Sequence, residues 1–242
     1  MLWQWDISFN SLKFVKISRF LTIFKDQKNT AKMATNNETD AICGQLVNAM
    51  RAMMDPTTPQ QVRLDAFNHC EQFKEVSTPD LGIQCAIILS ANADSIIKHF
   101  GLKLLEDVIK LKWNNMTPQQ KLFVKESAMN IMAKGIQDIL KEPNHVKDAI
   151  ARIVVEIAKR EWPQQWPSFL AELESMSSKG DAQSELVMFV MLRLVEDVAV
   201  LQTLEQNQRR KEIYQALTSH METIFQFLLS LLETHYKVKQ SV

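Results

Sequence analysis

His69 and Cys70 put an imidazole directly beside a thiol, the two groups a nucleophilic cysteine catalyst needs. Sequence neighbours on a helix point about 100° apart, so a helical His69-Cys70 step does not aim the base at the nucleophile. The other histidines, His99, His145, His220 and His235, form no H-E-x-x-H pair, and the chain has no G-x-S-x-G, Walker A or G-x-G-x-x-G stretch. Cys43, Cys70 and Cys85 are odd in number and at no metal-ligand spacing, and each sits in an apolar helical pattern. They read as reduced core cysteines of an intracellular protein. Carboxylate pairs such as Glu106-Asp107 and Glu196-Asp197 read as solvated or salt-bridged faces. The expectation is a protein that is not an enzyme and holds no metal or cofactor.

The second chemical candidate is Glu161-Trp162-Pro163-Gln164-Gln165-Trp166-Pro167-Ser168-Phe169, with two Trp-Pro pairs in a chain of five tryptophans. Trp162 and Trp166 could be stacking platforms for bases, but Glu161 and the lack of interleaved Arg or Lys after Arg160 count against that. Each proline pushes the residue before it out of the α region. The stretch therefore predicts a turn between two helices, with Pro163 ending one and Pro167 in the first turn of the next. Trp162, Trp166 and Phe169 are expected to fill the seam.

Those helices belong to a long series. Only five glycines in 242 residues leave little material for hairpins and phosphate loops, and no long stretch after residue 33 alternates with period two. Thr58-Pro59-Gln60-Gln61 and Thr117-Pro118-Gln119-Gln120 read as N-caps with capping boxes, Thr78-Pro79 as a further start, and Asp181 as a fresh N-cap after Gly180. Nine helices are predicted, over 39–54, 59–76, 79–91, 94–113, 118–140, 145–161, 166–178, 182–201 and 208–235.

Taken in pairs, the second members begin near 59, 94, 145 and 182, a mean spacing of about 41, within the range of HEAT-type repeats. The predicted fold is all-α, a HEAT-repeat superhelical solenoid of about four and a half helix pairs. In 94–113, Ile97, Phe100, Leu104, Leu105, Val108 and Leu111 form an apolar arc, opposed by a polar stripe of His99, Lys103, Glu106 and Lys110. In 145–161, Ile150, Ile153, Val154 and Ile157 oppose Asp148, Arg152, Glu156 and Lys159. The stripes are expected to be what reaches solvent. Helix 182–201, apolar nearly all round, is expected to be flanked on several sides.

Net charge is zero overall, but residues 1–32 carry +4 and residues 33–242 carry −4. An acidic body is a poor nucleic-acid surface on its own and suits a basic protein partner. No apolar run exceeds the seven residues from Leu186 to Leu192, far short of the ~20 of a membrane span. The first 32 residues make a poor secretory signal. They are expected to be a disordered or weakly structured extension, with the domain proper at 33–242.

The spacing W-P-x-x-W-P-x-F after a helix ending Lys159-Arg160-Glu161 resembles the exportin branch of the importin-β (karyopherin) family. Two further segments agree in order and distance. His99-Phe100-Gly101-Leu102-Lys103-Leu104-Leu105-Glu106, with Ile109 and Trp113, is similar to that family's F-G-L-x-x-L-E-x-x-I-K-x-x-W helix, and Leu186 to Asp197 to its L-R-L-x-E-D helix. The resemblance covers residues 40–236 and not residues 1–32.

It implies a nuclear export receptor that shuttles between nucleus and cytoplasm and binds GTP-bound Ran through its N-terminal repeats, the GTP being carried by Ran. It implies contacts with nuclear pore proteins and, in a full-length member, RNA hairpins of the precursor-microRNA type or an RNA-binding protein as cargo. No membrane is involved. Second helices line the concave face in such receptors, so the Ran-facing candidates are Arg63, Asn68, His99, Lys103, Glu106, Lys110, Asp148, Arg152, Glu156 and Lys159. Trp162, Pro163, Trp166, Pro167 and Phe169 are the structural signature. A full-length member carries many more repeats, so the chain reads as an N-terminal fragment or truncated product. The competing reading is a HEAT scaffold for a protein complex, without Ran-dependent transport.

Overall fold

The computed structural model describes residues 31–134, 142–200 and 207–240, and all of its regular structure is helical. The expectations for residues 1–30, and for the ends of the predicted helices 118–140 and 182–201, fall outside the described residues. In chain order the helices are α1 (Ala31–Met54), α2 (Gln60–Val76), α3 (Pro79–Ser90), α4 (Ser95–Lys112), α5 (Pro118–Lys134), α6 (Asn144–Glu161), α7 (Phe169–Ser177), α8 (Asp181–Val195), α9 (Asn207–Ser219) and α10 (Met221–Gln240). A 3-10 turn, Trp113–Asn115, follows α4, and a π turn, Glu196–Val200, follows α8.

The predicted pairs form: α1 packs on α2, α3 on α4, α5 on α6 and α7 on α8. Second members stack on one another, α4 against α6 and α6 against α8, with a thinner contact from α2 to α4. The first members α1, α3 and α5 touch in turn. This two-row stack is a HEAT-type helical solenoid, and it places the second helices side by side as one row.

The caps show where sequence signals become bonds. Thr117 and Gln120 close the expected box, with Gln120 N donating to Thr117 Oγ1 at 3.2 Å and Thr117 N to Gln120 Oε1 at 2.9 Å. Leu81 N donates to Thr78 Oγ1 at 3.3 Å, starting α3. The same tetrapeptide fails at α2, whose cap position is Pro59, with no side-chain bond. There Asp55 takes the role of organiser, accepting from Thr57 N at 2.8 Å and Thr57 Oγ1 at 2.7 Å. At α8 the cap is Gly180, and Asp181 is the first helical residue, one place later in role than expected.

Other boundaries also differ. α1 starts at Ala31, ahead of the predicted 39. The predicted helix 208–235 is two helices broken at His220, where Ser219 Oγ (2.9 Å) and His220 Nδ1 (2.8 Å) both engage Ala216 O and compete with the backbone ladder. Leu111, assigned to the buried arc of α4, is 64% exposed, because α2 ends short of it and leaves an open groove lined by Lys74, Glu75 and Lys112. Helix α8 is flanked on several sides as expected, by α5, α6, α7 and the π turn, although Met188, Leu192 and Val195 stand in solvent; the more fully enclosed helix is α6, between α4 and α8.

Gly101, inside the F-G-L signature, is explained by the α3–α4 crossing. A Cβ there would stand 2.3 Å from Ser90 N and 2.6 Å from Leu89 C, both backbone atoms that cannot turn aside. Gly101→Ala is therefore expected to destabilise by about 1–3 kcal/mol through overpacking, despite the usual helix preference for alanine. A chemical denaturation curve at or above wild-type midpoint would contradict this crossing distance.

Candidate partner-binding face

The row α2, α4, α6, α8 gathers the sequence-predicted stripe residues, but it does not leave all of them in solvent. Glu106, Glu156 and Lys159 are buried, at 1%, 5% and 7% exposure. This corrects the expectation that the stripes are solvent faces. The cause is the neighbouring repeat: a polar stripe opposite a core arc lies against the next second helix, and only ion pairing makes that burial tolerable.

The pairing runs from repeat to repeat. Lys74 of α2 reaches Asp107 of α4 at 3.3 Å. Glu106 holds Lys103 at 2.7 Å and Lys110 at 2.5 Å, and Lys110 lies 3.8 Å from Glu156 of α6. Glu156 in turn holds Lys159 at 2.5 Å and Arg160 at 2.6 Å, and Lys159 reaches Asp197 on the π turn at 2.8 Å. Asp148 is shared between Arg152 of its own helix, at 2.8 Å, and Arg193 of α8, at 2.6 Å.

The electrostatics follow this lattice. Burial alone would raise the Glu106 carboxyl, but the hydrogen bonds from Lys103 and Lys110 outweigh it and hold the group below the ordinary carboxylate value. Asp148 behaves alike, with burial opposed and overcome by Arg152 and Arg193. Burial would lower Lys110, and the bond to Glu106 overcomes it and raises the ammonium above its usual value. His99 is held low by burial and by the neighbouring His145 ring, 5.0 Å away edge to face.

What remains at the surface is cationic at its tips. Lys103, Lys110 and Arg152 keep 42%, 37% and 39% of their side-chain surface, whereas Glu106, the partner of both lysines, is turned inward and Asp148, the partner of Arg152, is half-buried. Arg63 and His99 are half-buried, and Asn68 is exposed. These cationic tips belong to α4 and α6, whereas α2 of the same row carries Glu75 in solvent and Glu71 half-exposed, so the face presents charge of both signs.

Sequence reasoning missed several members of the lattice. Lys147 pairs with Glu185 of α8 at 2.9 Å, and Lys98 with Glu142 at 3.0 Å. A signal was present: the bridging partners Lys147 and Glu185, Asp148 and Arg193, and Lys98 and Glu142 lie 38, 45 and 44 positions apart, one repeat period. Lys112, also missed, is buried and donates to Ser77 O and, at 2.9 Å, to Ser77 Oγ. It caps the carbonyl end of α2 with a charge that burial makes harder to hold.

The Trp-Pro stretch is a packed seam. Trp162, Trp166 and Phe169 are exposed by 2% or less, with the Phe169 ring 5.8 Å from that of Trp162 and 4.8 Å from that of Trp166. Trp162 N donates to Ala158 O at 2.9 Å and closes α6. The Trp162–Pro163 peptide is cis. Pro167 is not in the first turn of α7, which begins at Phe169; Trp166 N donates back to Glu161 O and Phe169 N to Trp166 O, so the turn runs three residues longer than predicted. Arg209 of α9 clamps it, donating to Lys159 O at 2.8 Å and to Trp162 O.

Among the described residues no helix is long and apolar enough to cross a membrane, and no group of three His, Cys, Asp or Glu could hold a metal ion.

Comparison with known proteins matches residues 66–134 to the importin-beta N-terminal domain and residues 143–242 to the exportin 1-like protein family. The chain is 47% identical to "Exportin-5" of Homo sapiens over 207 residues, which is 85% of this chain and 17% of that protein. It is 45% identical to "Exportin-5" of Mus musculus over the same shares, and 23% identical to "Protein HASTY 1" of Arabidopsis thaliana over 84% of this chain and 17% of that protein. The chain thus spans 17% of the length of these relatives.

Proposed function

We propose, given that this chain belongs to the exportin branch of the importin-β family, that it forms part of a nuclear export receptor and that the row α2, α4, α6, α8 grips GTP-bound Ran. The observation that carries the reading is the face itself. Four second helices stand side by side, braced from within by Glu106, Glu156 and Lys159, and they present Lys103, Lys110 and Arg152 outward with Arg63, His99 and Asn68 beside them. Asp148 belongs to the brace through its two arginines.

A pre-organised row of this kind costs little to order on binding, which favours a protein partner of fixed shape over a flexible one. The partner brings the GTP, and the receptor itself performs no bond chemistry. Cargo of the RNA-hairpin type, or an RNA-binding protein, is then taken together with Ran in the nucleus and released in the cytoplasm, with nuclear pore proteins met on the way. The Trp-Pro seam has no part in cargo binding, because its rings are buried.

The test is retention of Ran by the immobilised 242-residue chain, with Ran loaded with GTP or with GDP. Preferential retention of the GTP form is expected. Lys103→Ala with Arg152→Ala should weaken it roughly tenfold, about 1.4 kcal/mol, with Lys110 and Arg193 still pairing Glu106 and Asp148 so that the fold is kept, as circular dichroism would verify. Equal retention of both nucleotide forms would overturn the reading and leave the scaffold.

A further inference from the structure

Among the described residues three lysines are buried, Lys112, Lys147 and Lys159. Lys147 has Glu185 at 2.9 Å, and Lys159 has Glu156 at 2.5 Å and Asp197 at 2.8 Å. Lys112 has no carboxylate within ion-pair reach among those residues. Its ammonium donates to Ser77 O and, at 2.9 Å, to Ser77 Oγ, both uncharged. An ammonium carries three donors, so these two bonds leave one over.

The carbonyl end of α2, which Lys112 caps, offsets about half an elementary charge. Burial acts on what remains and lowers the Lys112 ammonium below its usual value. Lys110, two residues earlier, shows the contrast: burial would lower it too, and there the bond to Glu106 outweighs the burial. Lys112 is therefore a cation held largely out of water at a place where the described fold brings it no full negative charge.

Lys112 is not sealed in. It lines an open groove of about 380 Å³ between the end of α2, the start of α3 and the end of α4. The same groove presents the exposed Leu111, the half-buried Pro79 and the Asn115 amide. These walls complement a carboxylate beside an apolar side chain on a peptide backbone: the carboxylate for Lys112, the apolar group for Leu111 and Pro79, the peptide unit for Asn115. They also limit the ligand's charge. Glu75 lines the groove in solvent, and the second lysine there, Lys74, is already held by Glu71 at 2.6 Å and Asp107 at 3.3 Å. A nucleic-acid strand, with a phosphate at every step, would bring further negative charges against those three carboxylates.

We propose that this groove binds a short extended segment of a protein partner in which an Asp or Glu stands next to an apolar residue, the carboxylate pairing with Lys112 Nζ and the apolar side chain covering Leu111. The carboxylate makes a charge-assisted bond in a site already partly desolvated, which favours it over a neutral amide of the same shape. The inference uses none of the exposed cations of the proposed Ran face and does not rest on that reading.

The probe is the peptide acetyl-Leu-Asp-Leu-amide, titrated to millimolar concentration into the 242-residue chain while the side-chain NMR signals of Lys112 and Leu111 are followed. A saturable shift of both is expected, with the Lys112 ammonium titrating at higher pH when the peptide is bound. The analogue acetyl-Leu-Asn-Leu-amide should bind roughly tenfold more weakly. Lys112→Met keeps the apolar stem and should abolish the shift of Leu111. Because that change also removes the cap of α2, Leu111→Asp at an exposed position is the second variant; it should abolish the shift of Lys112 with the circular dichroism unchanged. No saturable shift, equal binding of the two peptides, or binding that survives Leu111→Asp overturns the proposal. So does a shift of the same signals by a short single-stranded RNA and not by the peptide, which would make the groove a phosphate site. Ran is absent from the assay, so a negative result leaves the proposed function untouched.

Discussion

Trp162→Ala and Trp166→Ala are each expected to lower folding stability by about 3–5 kcal/mol, a fall of roughly 6–20 °C in melting temperature for a chain of this size. Both side chains are almost wholly buried, and Phe169, fully buried between them, would lose one wall of its site with either change. The two differ in their polar ends. Trp166 Nε1 is buried without a hydrogen-bond partner, a defect that itself costs about 1–3 kcal/mol. Trp166→Phe keeps much of the ring packing and removes that orphan donor, so it should cost far less than Trp166→Ala.

The ordering Trp166→Phe milder than Trp166→Ala is the informative comparison. A ligand platform would instead lose binding in all three variants while keeping the melting temperature. Lys125 Nζ lies 5.3 Å from the Trp166 ring, and that contact survives in phenylalanine in weaker form. An alanine variant that melts with the wild type would refute the seam.

How far the sequence led can be judged at particular residues. The repeat pairing, the capping box at Thr117 and the burial of Trp162, Trp166 and Phe169 were legible because each depends on contacts local in sequence or on a periodicity. The family match to exportin 1-like and importin-beta N-terminal regions bears out the resemblance drawn from the Trp-Pro, F-G-L and L-R-L-x-E-D segments.

What a helical wheel cannot show is how far a stripe is covered by the next repeat. Glu106 and Lys103 sit three apart on one stripe, yet one is buried and the other exposed. The difference is set by where α6 crosses α4, which no single-helix pattern contains. Thr58 fails as a cap for a similar reason: Asp55, a stronger acceptor three residues earlier, captures the turn at Thr57 first.

Glu156→Leu is expected to cost about 3–5 kcal/mol, and Glu106→Leu distinctly less, although Glu106 is the more deeply buried of the two. The decision lies with the cations left behind. Removing Glu106 frees Lys103 and Lys110, whose side chains are 42% and 37% exposed and can turn into water. Removing Glu156 leaves Lys159, only 8% exposed, with Asp197 as its remaining carboxylate, and takes the ion pair from Arg160, which keeps its bonds to Glu156 O and Lys110 O. A buried ammonium that cannot turn into water then has one carboxylate instead of two to offset its desolvation. Adding Lys159→Met to Glu156→Leu should therefore recover much of the loss, since a buried pair replaced as a pair by apolar groups is often close to neutral. A double-mutant cycle by urea denaturation reads the coupling directly. If Glu106→Leu proved the costlier change, burial of the acid rather than confinement of its cations would control the lattice, and the brace that carries the inner row would have to be centred on α4 and not on α6.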